Sequence, residues 1–242
     1  MNIERNRITV SGLPVEIVRK AIKNLHLGVY PPNGRVRVAA PVRVRDEAVR
    51  LAVISRLGWI KRQRKRFHAQ ERQSAREYVS RESHYFLGRR YLLHVVEGDG
   101  SSRVARKGNK VLELQIPVGT SRDKREQILL AWYRKNLKVL ILPLIEKWED
   151  KMGMTVESWG VRKMKTKWGS CNSAEQRIWL NLELAKKPVR CLEYILVHEM
   201  AHLIERKHND RYIALMDQFL PSWRQRRDEL NHAPLAHEMW SY

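Results

Sequence analysis

Residues 198–208 read H-E-M-A-H-L-I-E-R-K-H. His198 and His202 are four positions apart, so on an α-helix they lie one turn apart on one face and can point at one ion. Glu199, one residue on, can sit beside that ion without binding it and take a proton from a water there. This is the H-E-x-x-H arrangement of zinc hydrolases. It makes His198, His202 and His208 the expected ligands of a Zn2+ cofactor and Glu199 the expected general base.

The stretch before the motif, Val189–Val197, contains no Gly, and Pro188 suits a first helical turn. Leu192, Ile195, Leu196, Met200 and Leu203 recur at helical spacing, which predicts a buried helix. Polar groups on such a helix need partners, and a metal supplies one. His208 lies six residues after His202, on the loop expected to leave the helix. Metzincin proteases use that spacing with a Gly at the position held here by Glu205. Asn209 and Asp210 are suited to making the turn instead. A second helix then opens at Asp210 and ends before Pro221. Glu229 and Glu238 are alternative third ligands, while His232 and His237 read as surface residues.

The chain has 242 residues, 43% of them hydrophobic, enough for one large domain or two small ones. Lys and Arg number 47 against 26 Asp and Glu, a formal charge of +21. Such an excess suits an anionic partner, nucleic acid included, through a basic surface. Cys171 and Cys191, with no C-x-x-C pair, exclude a disulfide framework and a cysteine zinc finger. The N-terminus lacks the apolar segment of a signal peptide, and no apolar run is long enough to span a bilayer. The expectation is a cytoplasmic protein with no membrane association. Its oligomeric state is not legible.

Short strands are expected at Ile8–Val10, Val15–Val18 and Val36–Ala39, with Pro31-Pro32-Asn33-Gly34 as a turn. Asp46 is expected to cap a helix through Val49, Val53, Leu57 and Ile60, running into the basic stretch Lys61–Arg66. Residues 84–117 read as a β-hairpin region turned by Gly98-Asp99-Gly100. Arg122–Lys151 reads as one long helix kinked at Pro143. These elements predict an α+β protein: a β-rich N-terminal region over 1–120, then a mostly helical, zincin-like metal-binding domain with a small sheet over 121–242.

A second group of residues precedes the metal helix. Arg162, Lys165 and Lys167 are followed by Trp168, Gly169, Ser170 and Cys171. The basic side chains can clamp a phosphate or carboxylate. Ile178–Leu182 reads as a strand placed to bind an extended peptide along its edge. Arg162, Lys165, Lys167, Ser170 and Tyr212 are the candidate substrate-binding residues, with Tyr212 placed to stabilise an oxyanion.

Four segments carry a family resemblance: K-T-K-W-G-S-C at 165–171, H-E-M-A-H-L-I-E-R-K-H at 198–208, Gly58-Trp59-Ile60 and Trp132-Tyr133-Arg134. On these the chain resembles the YgjP-like metallopeptidase family, distantly related to the zincins. The resemblance implies zinc on His198, His202 and His208, with Glu199 as base. It also implies two substrate classes, polypeptides and nucleoside triphosphates. The expected activity is hydrolysis of a peptide bond, with metal-dependent nucleoside triphosphate pyrophosphohydrolysis of a UTP-like substrate as the alternative.

Overall fold

The computed structural model describes residues 5–30, 34–69, 76–164 and 167–232. The chain is α+β and divides into two compact units, one within Met1–Gln73 and the other within Ser74–Ala233. Residues 74–120, assigned from the sequence to the N-terminal region, therefore cluster with residues 121–233.

The first unit holds β1 (Arg5–Val10), β2 (Leu13–Lys20), β3 (His26–Tyr30) and β4 (Arg35–Pro41), ordered β1-β2-β4-β3. Strand β3 was not expected. The β2–β4 pair is parallel and the others antiparallel. Period-two alternation sends Val15, Ile17, Val36, Val38 and Ala40 to one face, where they bury against Val49, Val53 and Ile60. The turn residues Pro31–Asn33 lie outside the described residues.

The helix expected from Asp46 to Ile60 is two helices, α1 (Asp46–Ile54) and α2 (Leu57–Ala69). A tightened turn separates them, with the Arg56 N–H on the Val53 carbonyl. Asp46 is not the cap. Arg45 holds that position, and the Asp46 carboxylate is ion-paired with Arg19. The basic run continues α2, with Lys61, Arg62 and Lys65 exposed.

The second unit begins with β5 (Ser83–Phe86), β6 (Arg89–Glu97), β7 (Arg103–Lys107) and β8 (Val111–Ile116), ordered β5-β6-β8-β7. The region is thus a four-stranded sheet rather than a hairpin. Parallel pairing of β6 with β8 means that residues 98–100 lead the chain past β8 to β7. Helix α3 (Arg122–Met152) is one element that continues through Pro143. Ser121 caps its start, and Gly153 ends it at φ 61°, a left-handed conformation open to glycine. Leu129, Tyr133, Leu137, Ile141, Ile145 and Trp148 form its buried stripe.

The small expected sheet consists of β9 (Ser158–Arg162), β10 (Gly169–Asn172) and β11 (Arg177–Asn181), ordered β10-β11-β9. A 3-10 turn, Leu182–Lys186, leads into α4 (Val189–Ile204), followed by α5 (Asp210–Phe219) and α6 (Trp223–His232). Ile178, Leu180, Ile195 and Leu196 are buried where this sheet and α4 contribute to the core. Strand β11 is central, so the expectation that residues 178–182 form a substrate-binding edge is corrected. Its backbone is paired on both sides, and β10 and β9 are the edge strands. No helix among the described residues is long and apolar enough to cross a membrane.

Candidate metal centre

Helix α4 runs from Val189 to Ile204 and buries Leu192, Ile195, Leu196 and Met200, as their helical spacing predicts. His198 and His202 share its half-buried side, while Glu199 is buried. The helix ends at Glu205, whose backbone is extended, with φ −133°. The chain therefore turns without the glycine used in metzincins. Asn209 then caps α5 by accepting the Tyr212 N–H at 3.0 Å. Between these two signals His208 is carried back to α4.

The three imidazoles meet through their Nε2 atoms. His202 Nε2 lies 3.1 Å from His208 Nε2, which lies 3.3 Å from His198 Nε2. Tetrahedral zinc with Zn–N distances of about 2.0–2.1 Å holds its ligand nitrogens about 3.3–3.4 Å apart. The opposite nitrogens of the two helical histidines are occupied. His202 Nδ1 donates to the Glu205 carbonyl at 3.0 Å, and Tyr212 Oη lies 2.6 Å from His198 Nδ1. The Nδ1–H donated by His202 leaves its Nε2 as a bare acceptor aimed at the others. Burial, then His202 and His208, pushes His198 down to about 3, and burial and His202 lower His208. Both shifts favour the neutral form, which holds the lone pair that metal binding requires. The residues present fit a divalent ion.

Glu199 is 6% exposed and lies against β10. A Cβ on Gly169 would stand 2.5 Å from its Oε1. Burial pushes the Glu199 carboxyl up to about 8, and the Lys167 ammonium opposes this. Cys171 is half-buried, and burial, with Glu199 and against Arg206, raises its thiol to about 11. It is therefore a weak nucleophile.

The expected substrate-binding residues separate. Gly169 faces Glu199, so strand alternation sends Ser170 to the opposite face. There Arg162 Nη2 donates to Ser170 Oγ at 3.3 Å, and the Arg162 guanidinium stands 5.0 Å from the Trp179 ring centre. Arg162 and Ser170 thus lie on the sheet face turned away from Glu199. Lys165 lies outside the described residues. Tyr212 is 3% exposed, stacks on His202 at 4.7 Å and meets His198 at Nδ1, behind the ring. That position does not suit the oxyanion contact expected of it. Glu229 is bound to Arg190 and close to Cys191, whereas the ligand atoms of the three histidines all lie within 4.8 Å of one another. Glu238 lies outside the described residues.

Two residues near the centre were missed from the sequence. One is Gly169. The other is Asn181, fully buried, whose amide donates to the Lys167 and Met164 carbonyls at 2.7 and 3.0 Å and accepts the Glu183 N–H at 3.1 Å. It ties down the loop that leads to Gly169. The available signal was an amide inside the apolar run Ile178–Leu182.

A family model described as YgjP-like, metallopeptidase domain, matches residues 23–233. Among solved structures the chain is similar to the metallopeptidase zymogen of Pyrococcus abyssi, abylysin, at 20% identity and a TM-score of 0.35, over 37% of this chain and 90% of that one. No curated protein matches it. The resemblance read from residues 165–171 and 198–208 is borne out, and the match spans most of the chain: this protein belongs to the YgjP-like metallopeptidase-domain family.

Proposed function

We propose that the chain is a zinc-dependent peptidase whose catalytic unit is the second one. In this reading His198, His202 and His208 hold the ion, and Glu199 is the general base. The observation that carries it is the convergence of three Nε2 atoms at 3.1–3.3 Å beside a buried carboxylate. Zinc held there supplies a Lewis acid that acidifies water and polarises a carbonyl. Glu199 accepts the proton of the attacking water at its carboxylate and delivers it to the departing amine nitrogen. Burial keeps the base reluctant to hold charge, and Lys167 tempers that effect.

The outer edge of β10, unpaired with any strand among the described residues, supports a peptide substrate. The Asn181 N–H bonds the Trp168 carbonyl at 2.8 Å, which makes Trp168 and Asn181 a hydrogen-bonded pair. Antiparallel alternation then turns the Gly169 and Cys171 backbone groups toward the outer edge. An extended peptide pairing there runs alongside Glu199. The phosphate reading rests on less, since Arg162 faces away and Lys167 is the one described member of the basic trio that acts on Glu199.

Zinc-loaded protein and Glu199→Gln are to be assayed against an unfolded protein and against nucleoside triphosphates. Peptide cleavage lost in the variant is the expected result. Pyrophosphate release lost in the variant, with peptides untouched, overturns the peptidase assignment. Turnover unchanged by the substitution overturns the role of Glu199.

A further inference from the structure

Tyr212 touches all three histidines of the proposed centre, and the way it does so points to a role other than contact with substrate. Its hydroxyl lies 2.6 Å from His198 Nδ1 and 3.4 Å from the His198 carbonyl oxygen. Its ring stacks on His202 at 4.7 Å and 25° and meets His208 edge-on at 4.7 Å and 80°. A phenol has one proton to give and lone pairs to receive. A ligand Nε2 must keep its lone pair, which puts the His198 proton on Nδ1 with the phenol oxygen accepting it. The carbonyl, which can only accept, lies on the side to which the hydroxyl proton then turns. His198 then carries its proton on Nδ1 and turns the Nε2 lone pair toward His202 and His208. His202 is held the same way by the Glu205 carbonyl at 3.0 Å.

We infer that Tyr212 is a positioning residue of the metal centre: it accepts the Nδ1–H of His198, fixing the tautomer in which Nε2 faces the shared point, and braces the His202 ring by stacking. The inference rests on the proposed ligand set and adds a residue that binds no metal and touches no substrate. Partners of this kind raise the basicity of a ligand imidazole and fix its rotation, and their loss weakens metal binding by about 10–100-fold. Local chain geometry supplies the contact. Asn209 caps α5 through the Tyr212 N–H, so the cap that ends the His208 turn also sets the direction of the tyrosine.

The test measures Zn2+ affinity by competition with a chromophoric chelator, on the full chain and on Tyr212→Phe, which keeps the ring and removes the hydroxyl. The expected result is one tight site in the full chain and a 10–100-fold weaker one in the variant, with unchanged circular dichroism. Equal affinities overturn the inference and leave the ligand set intact. Absence of a tight site in the full chain, with binding equally absent from His198→Ala, overturns the ligand set itself. A second measurement does not depend on the variant folding. Long-range 15N–1H spectra of the metal-free full chain should show His198 protonated at Nδ1, and protonation at Nε2 overturns the inference.

Discussion

Gly169 and Glu199 occupy one space. A Cβ at position 169 would come within 2.5 Å of Glu199 Oε1, 2.6 Å of its Cγ and 2.8 Å of its Cδ. The carboxylate is thus seated by the absence of a side chain on the neighbouring strand. Gly169→Ala is expected to displace Glu199 while leaving the three histidines able to bind metal. A shift of about 1 Å in a reacting group is enough for a loss of order 100-fold. Steady-state assays should therefore show a large fall in kcat with metal content retained. Full activity would show that the carboxylate has room to move without consequence.

In the proposed mechanism Glu199 must be unprotonated to act as a base, so activity should rise with pH along an acid limb. Burial, opposed by Lys167, raises its carboxyl to about 8, and a bound dication lowers it. Lys167→Met removes a cation that favours the charged form. The acid limb should then move to higher pH, most clearly at low salt. A kcat/KM profile for this variant that overlays the parent would remove Lys167 from the site.

Metal removal should destabilise the unit that carries the histidines. An ion at a hundred times its Kd adds about 2.7 kcal/mol to a folded state that alone binds it. For a unit of this size that is a rise of about 5–10 °C in Tm, lost on chelation and absent in His202→Ala. Protons compete for the same nitrogens, so affinity falls as pH drops. Burial lowers His198 and His208, so these two ligands resist the competition. Competition titrations between pH 5 and 8 would check this.

His84 makes the second unit acid-sensitive by a separate route. It is 5% exposed, and burial, opposed by Glu82, lowers it from 6.5 to about 4. Between those values the unfolded chain binds a proton that the folded chain refuses, so stability falls as pH drops from 6.5 toward 4. At 1.36 kcal/mol per pH decade the loss is at most about 3 kcal/mol. Urea midpoints at pH 7.5 and 4.5 should differ accordingly, and His84→Gln should narrow the difference.

Asn181→Ala deletes an amide that serves the Met164, Lys167 and Glu183 backbone. Buried groups left unpaired cost about 1–3 kcal/mol each, so a loss of about 3 kcal/mol in urea denaturation is expected. The loop before Gly169 should loosen as well, raising KM for peptides. Unaltered stability would mean that water replaces the amide.

The clustering of His198, His202 and His208 was legible in the sequence because it depends on local geometry. Four-residue spacing on a helix brings His198 and His202 together whatever surrounds them, and the Asn209-Asp210 pair announced the turn that returns His208. The same reasoning located α4, α5 and the long α3, whose buried stripes repeat at helical period. It misplaced what depends on pairing between distant segments. Strand propensity identified Ile178–Leu182 as extended, yet whether a strand lies at an edge depends on which others join it, and β9 and β10 enclose it. The side on which Arg162 and Ser170 fall was likewise undetermined, because a single step of register reverses every side chain in a strand. Only the folded sheet brings Gly169 against Glu199 and the Tyr212 hydroxyl against His198. Those contacts join residues 30 and 14 positions apart, and no local periodicity encodes them.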